Sequence, residues 1–477
     1  MPLALALILV PAAAAVAALL CRRGDVRPWF LLVATVLHAA LSAALLCGVT
    51  SPPDSTWLWI DPPGRLVLAL TSTLFLASSV YALGYLRDRA ERDNRVFVAS
   101  LAALLAALSL AVLSRHLGLT WVAVELAALV SAPLIYFNRN KRSIEATWRY
   151  LMVGSVGVAV ALLGTFFIAY SAVHAGVSTS LRFDDLAAAA PTLSRPWLQA
   201  GFVLALVGYG TKMGLAPMHT WKPGAYGEAP GLAGALFAGG VTSAAFLALL
   251  RIFRVCNAAG EGAWASSLLV GLGLFSMLLA GASLFGQRDP KRMLAYSSVE
   301  HMGILALGVG LGGVGVFGAM LHLLANGLTK GALFLSAANL HRGYPGAFRR
   351  GLTGALRKTP VSATLFVLGF FAITGAPPFG PFVSELTIAR AAFLTDRPLA
   401  GALYLVALLV VFTAMARTVL TLALGDGPDR APGYRERPVT VAPILALLAL
   451  ALMLGTFIPE PLTALLSANV AWLEVAP

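Results

Sequence analysis

Gly208-Tyr-Gly-Thr-Lys212-Met-Gly-Leu-Ala-Pro217 places a lysine inside an apolar stretch that begins near Trp197, and closes that stretch with a proline. Pro217 deletes a backbone hydrogen bond, and the glycines on either side of Lys212 weaken any helix around the charge. In water this would be an ordinary loop. In a bilayer it would be a broken helix holding an expensive charge. The surroundings decide between these readings. The chain has 477 residues, of which 59% are hydrophobic and 12% charged, and its mean hydropathy is +0.83. A fold with a mostly water-facing surface does not keep that balance.

Apolar stretches of roughly 20 residues recur along the whole chain. They lie near Pro2–Leu20, Trp29–Val49, Leu66–Leu86, Val96–Ser114, Leu117–Phe137, Arg149–Ala172 and Trp197–Pro217. They continue near Gly231–Leu250, Ala263–Phe285, Met293–Leu311, Val314–Asn339, Val361–Ala392, Leu399–Leu424 and Val439–Phe457. The sequence therefore predicts an all-α polytopic membrane protein of about 14 transmembrane helices. The polar gaps, of which Val173–Pro196 and His341–Pro360 are the longest, are too short to bury a core of their own.

The formal net charge of +13 follows this layout and does not form a basic face, so nucleic acid is not an expected partner. Loops after odd-numbered spans carry most of the basic residues, among them Arg22/Arg23/Arg27, Arg87/Arg89/Arg92/Arg95, Lys222, and Arg288/Lys291/Arg292. Loops after even spans hold few, such as Arg65, Arg115, Arg251 and Arg254. The positive-inside rule then puts the odd-to-even loops in the cytoplasm and both termini outside, in a prokaryotic cytoplasmic membrane. The positive charge follows the first span where a cleavable signal would have it in front. Cys21, Cys47 and Cys256 are scattered without metal-ligand spacing, so no metal, redox centre or other cofactor is expected in this chain.

An ionisable group kept in mid-span faces the bundle interior and marks either an ion path or a structural pair. Glu125 sits in Leu119-Thr-Trp-Val-Ala-Val-Glu125-Leu on the fifth span, and Lys212 on the seventh. The twelfth span repeats the broken-helix pattern in Gly375-Ala-Pro-Pro-Phe-Gly-Pro381-Phe-Val-Ser-Glu385, where Pro377, Pro378 and Pro381 precede a carboxylate. Because odd and even spans cross in opposite directions, breaks in spans seven and twelve suit two inverted five-helix repeats. This divides the chain into helices 1–3 at 1–86, a first repeat at about 96–250, a second at about 263–424, and a last helix at about 439–457. His322 and Lys330 lie about two turns apart on one face of span eleven, and Glu300 and His301 add two titratable groups on span ten.

Such groups in series, joined by water, can pass protons. Glu125 beside Lys212 would make a pair that opens and closes as a proton arrives. The same residues also admit structural roles. A buried Glu/Lys pair can fix helix register, His301 can bond a carbonyl, and Lys330 can pack against backbone. Arg390 and Arg417 read as snorkelling side chains, and His38, His116 and His174 as structural or loop residues.

Three further strings complete a pattern: Thr211-Lys-Met-Gly-Leu-Ala-Pro-Met-His-Thr-Trp221 with Glu228-Ala-Pro230, Asp289-Pro-Lys-Arg-Met-Leu-Ala-Tyr-Ser-Ser298, and Asn326-Gly-Leu-Thr-Lys-Gly-Ala-Leu-Phe334. With them the chain resembles the antiporter-like membrane subunits shared by respiratory complex I, Mrp-type cation/proton antiporters and membrane-bound nickel–iron hydrogenases. Ser297-Ser-Val-Glu-His-Met-Gly303 and Gly375–Glu385 look most like the F subunit of hydrogenase-4 and formate hydrogenlyase-type complexes. The resemblance implies a 14-helix fold with inverted repeats, and proton-conducting roles for Glu125, Lys212, Lys330 and Glu385. It also implies partners: other antiporter-like and small membrane subunits, surrounding lipid, and peripheral redox subunits on the cytoplasmic side that carry iron–sulfur and nickel–iron centres. A stand-alone cation/proton antiporter, or the membrane partner of a non-redox uptake system, is the alternative. One departure stands out. Many members carry Lys or His in helix eight, yet nothing basic lies between Glu228 and Arg251, and Asn326 stands where many have histidine. Water, His322 or Glu300/His301 would then have to complete the central relay.

Overall fold

The computed structural model describes residues 2–48, 55–177, 180–431 and 434–474. Among these residues the regular structure is helical, with two isolated β-bridges, Leu58 to Ser114 and His116 to Arg182. The first part of the bundle is α1 (Pro2–Leu20), α2 (Arg27–Leu46), α3 (Pro62–Arg87), α4 (Arg95–Leu113), α5 (Leu117–Tyr136) and α6 (Lys141–His174). Then come α7, in two parts (Arg195–Met213 and Lys222–Glu228), and α8, which runs through a π-turn from Gly231 to Ala258. The remainder is α9 (Gly262–Leu284), α10 (Pro290–Leu311), α11 (Val314–Gly343), α12 in two parts (Pro360–Ile373 and Gly380–Leu394), α13 (Pro398–Ala423) and α14 (Pro438–Thr456). A terminal α15 (Glu460–Leu473) follows. Val49, where the second predicted span ends, lies outside the described residues, as do residues 178–179 in the longest polar gap.

Local sequence explains the helix starts. Proline in the first turn opens α3, α7, α10, α13 and α14, where its missing N–H costs nothing. Asp61 caps α3 by accepting from Gly64 N, and Asp289 caps α10 by accepting from Lys291 N. The α6 helix starts at Lys141, ahead of the predicted Arg149, because Asn140 and Ser143 form a capping box before the apolar run begins. The α8 helix continues past the predicted Leu250 because the charge that would have ended it is paired inside the protein. Arg251, counted from sequence as a loop charge, donates from Nε to Asp61 Oδ2 at 2.8 Å and from Nη2 to Asp61 Oδ1 at 2.9 Å. It also donates to the last carbonyls of α4 at Ala111 and Val112. Both side chains are fully buried, and they tie α3, α4 and α8 together.

Among the described residues, 11 helices are long and apolar enough to cross a membrane. The predicted spans outside that set are α7 and α12, which are broken, and α11, which carries His322, Asn326 and Lys330. Contacts recur in the same order twice over: α4 on α5, α5 on α6 and α6 on α7 in the first repeat, α9 on α10, α10 on α11 and α11 on α12 in the second. The fold is thus an all-helical polytopic bundle with two five-helix repeats and one broken helix in each. Helix α8 is buried throughout and α10 nearly so, whereas α1, α2, α6, α13 and α14 present apolar faces outward, as helices beside lipid do.

Candidate functional site

The first part of α7 stops at Met213 because Gly214 takes a left-handed conformation at φ +80. Lys212 therefore stands one residue before the break, with its side chain buried. Its Nζ lies 3.3 Å from Glu125 Oε2 on α5. From α6, Ser155 Oγ donates to Glu125 Oε1 at 2.9 Å, and the ring of Tyr150 is centred 5.7 Å from Lys212 Nζ. Gly154 makes the room, since a Cβ there would come within 2.8 Å of Lys212 Nζ. The pair is asymmetric: the Lys212 side chain is 2% exposed and that of Glu125 is 19%. An ion pair in these surroundings is screened little by water, so each charge depends on the other.

The chain does not leave the bundle after the break. Trp221 Nε1 donates back to Thr211 O at 2.8 Å. Lys222, read from sequence as a loop charge, is completely buried; it reaches into the break and donates from Nζ to Met213 O at 2.6 Å and to Ser298 O on α10 at 3.3 Å. Lys222 and Arg251 therefore drop out of the loop-charge count that set the orientation. Lys222 Nζ satisfies a carbonyl that the end of the helix leaves free. The available signal was its spacing: only four residues separate it from Pro217, too few for the chain to break, exit and return.

In the second repeat the structure brings Glu300, His301, His322 and Glu385 together. His301 Nδ1 and His322 Nε2 are 2.9 Å apart, and His322 Nδ1 is 2.9 Å from Ser384 Oγ. Ser384 donates its own proton to Pro381 O. With Ser384 donating there, His322 Nδ1 donates to Ser384 Oγ and His322 Nε2 accepts from His301 Nδ1, one of the tautomer assignments that the distances allow. Glu300 Oε2 is 3.8 Å from His301 Nε2. The result is a line of exchangeable hydrogens across α10, α11 and α12. Ser384 was not singled out in the sequence, although it adjoins Glu385. Glu385 is buried against the break in α12, where a Cβ on Gly375 (φ +70) would overlap its carboxylate. Lys330 donates to Leu294 O at 3.1 Å and has no carboxylate in direct contact among the described residues.

The α12 break differs from its prediction in one respect. Pro377 and Pro378 lie in the gap between Ile373 and Gly380, but Pro381 sits inside the first turn of the second part and helps to start that helix. Outside the cluster, His38 joins α2 to Ser72 on α3 and Ser109 on α4 by hydrogen bonds, and His116 caps α5.

Among the described residues, the one group with the composition of a metal site is His301, His322 and Glu385, whose ligand-type atoms lie within 4.8 Å of one another. Both ring nitrogens of His322 are engaged in hydrogen bonds, so a metal ion held by all three would have to displace one of those bonds. As it stands the arrangement is a set of titratable side chains joined by hydrogen bonds. What it can do is hold a proton at Glu125/Lys212, hold another among Glu300, His301, His322 and Glu385, and keep both away from lipid.

Comparison with known proteins gives a consistent picture. Residues 114–415 match the family described as NADH:quinone oxidoreductase/Mrp antiporter, TM. The chain is 33% identical over 390 residues to a hydrogenase-4 component F homolog of Methylacidiphilum infernorum, covering 79% of this chain and 80% of that protein. It is also 33% identical over 399 residues to NADH-quinone oxidoreductase subunit N of Desulforudis audaxviator, covering 81% of this chain and 76% of the relative. Its fold is similar to that of a chain in the Mrp complex from a Dietzia species, with a TM-score of 0.87, 22% identity, and coverage of 99% of this chain and 97% of the other.

Proposed function

Because the chain belongs to the NADH:quinone oxidoreductase/Mrp antiporter transmembrane family, we propose that it is a proton-translocating subunit of an energy-converting membrane complex. We place that complex nearest the hydrogenase-4 and formate hydrogenlyase type, in a prokaryotic cytoplasmic membrane with both termini outside. In this reading a partner's redox reaction drives the proton movements. The iron–sulfur and nickel–iron centres belong to peripheral subunits on the cytoplasmic side, and other antiporter-like and small membrane subunits flank this one. The observation that carries the reading is the ion pair of Glu125 with Lys212 at the break of α7, 3.3 Å apart inside the bundle.

The pair can work as a switch. With Glu125 ionised and close, the Lys212 ammonium is compensated. If Glu125 is protonated or drawn away, the ammonium is left buried without a counter-ion, and passing its proton inward relieves that cost. The hydrogen bonds from His301 through His322 to Ser384 can then carry a proton through the second half, each transfer shifting one imidazole tautomer. Lys330 and Glu300 would supply the sites that lead to that line, and Glu385 the site between it and the far side.

The test is proton uptake into vesicles carrying the purified native complex, fed with the partner's electron donor. K212M and E125Q should each abolish uptake while the complex remains assembled. Full uptake in both would leave the pair as a structural pin and overturn the reading. Because relatives of hydrogenase-4 and complex I type are equally identical to the chain, the driving partner is settled by what co-purifies. Nickel–iron hydrogenase subunits support the assignment, NADH-oxidising subunits redirect it, and antiporter subunits alone favour stand-alone cation/proton exchange.

A further inference from the structure

We propose that Lys222 is the relay that joins the two half-paths, resting on the proton-translocating reading above. Four observations lead to it.

The first is position. Lys222 Nζ touches Met213 O, the carbonyl immediately after Lys212, and Ser298 O, two residues before Glu300 on α10. One nitrogen thus bridges the break that presents Lys212 and the helix that carries Glu300 and His301. It is also close enough to Lys330 and to His301 to interact with both electrostatically.

The second is that α8 offers no such bridge. Helix α8, packed against α7 and α11, holds no ionisable side chain from Gly231 to Leu250, and its Arg251 is locked to Asp61.

The third is the kind of bonding. Among the described residues no carboxylate lies within ion-pair distance of Lys222, and both its acceptors are backbone carbonyls. A neutral amine has two N–H donors and a lone pair, and an ammonium has three donors. Met213 O and Ser298 O are therefore served in both protonation states. The remaining position alternates between a lone pair that accepts a proton and an N–H that gives it up. A charge held by an adjacent carboxylate would not be free to alternate in this way.

The fourth is space. Gly214 lies against the Lys222 stem, where a Cβ would come within 2.6 Å of Lys222 Cδ, so the break is shaped around this side chain. Buried polar groups of the residues beside it, Ser298 Oγ and Tyr226 OH, have no protein partner. Groups of that kind are normally met by water, which could carry the proton over the distances between nitrogens.

The step balances. Lys222 begins as the neutral amine, takes one proton originating at Lys212 Nζ, and releases one proton towards Lys330 and the Glu300/His301 group. It ends the cycle neutral, with no other reactant consumed.

The test compares the native complex in vesicles with complexes carrying K222M, K222R and, as a control, K212M. Arginine keeps the positive charge and can donate to both carbonyls but does not release its proton. A relay predicts that K222M and K222R both lose proton uptake by roughly a hundredfold, as when a proton-transfer group is removed, in assembled complexes whose redox reaction continues. A structural cap predicts normal uptake in K222R, and that result overturns the proposal, as does normal uptake in K222M. If only one variant assembles, its uptake decides. If neither assembles, Lys222 is a cap and the proposal fails. Wild-type uptake in K222R alongside loss in K212M rejects the relay alone, whereas wild-type uptake in K212M rejects the translocation reading beneath it.

Discussion

The Glu125–Lys212 pair and the cluster of α10, α11 and α12 stand at corresponding breaks in the two repeats, yet they hold charge by different means. The first uses direct compensation, a carboxylate and an ammonium 3.3 Å apart, with the carboxylate partly open to the outside of the bundle. The second is buried and joins its side chains by hydrogen bonds, His301 to His322 to Ser384, while Lys330 rests on a carbonyl. An ion pair responds to the arrival or removal of one charge, whereas a hydrogen-bonded line responds by shifting tautomers without gathering net charge. A repeated fold therefore need not mean a repeated arrangement: the first break holds an ion pair and the second a hydrogen-bonded line of side chains.

The largest way to break that contrast is within the line. H322A removes both of its central hydrogen bonds and should lower proton uptake by roughly tenfold or more. S384A leaves the histidine–histidine bond in place and should cost less. Vesicle uptake with the two variants side by side checks this, and unchanged uptake in H322A would mean that the line does not run through His322.

A smaller effect separates the two breaks by stability. G375A puts a methyl group where the Glu385 carboxylate lies and demands a left-handed backbone from alanine. It should cost about 1–3 kcal/mol. G154A places its methyl 2.8 Å from Lys212 Nζ, the end of a flexible chain that can move aside, and should stay within about 1 kcal/mol. Thermal denaturation of the solubilised complexes gives the order, and a reversed order would show that the first site is the more tightly built.

The smallest expected effect is that of an ordinary ion pair outside the membrane. Arg115 Nε donates to Asp184 Oδ1 at 3.1 Å. Burial pushes the Asp184 carboxyl up, but the hydrogen bonds and charge of Arg115 outweigh it and hold the group below its usual range. Its stabilisation is complete above the unfolded carboxylate value of about 3.9 and is lost as pH falls through the lower folded value. D184N should therefore cost at most about 1 kcal/mol at neutral pH, with the difference from wild type shrinking only in strong acid. A difference that vanished between pH 8 and 6 would point to a histidine instead.

Much of the candidate site was legible in the sequence, because in hydrocarbon every charge is conspicuous. Glu125, Lys212, Glu300, His301, His322, Lys330 and Glu385 stand out against apolar neighbours, and the prolines mark the breaks. The residues that were missed had lost that contrast. Lys222 follows a proline and a tryptophan in a stretch that reads as a loop, Arg251 stands where an apolar run ends, and Ser384 is too small and neutral to signal anything.

The sequence by itself determined which segments cross the bilayer, where two of them break, and which ionisable groups are carried inside. These are properties of single segments: hydropathy over about 20 residues, a proline without its N–H, a charge among leucines. Only the tertiary structure decided which of those groups meet. Lys222 reaches a carbonyl 76 positions away, Arg251 finds Asp61 across 190, and His301 faces His322 because two helices pack in one rotational register. Side chains reach only a few ångströms, so a small turn of a helix changes every partner, and that turn is fixed by how whole faces of the bundle fit together.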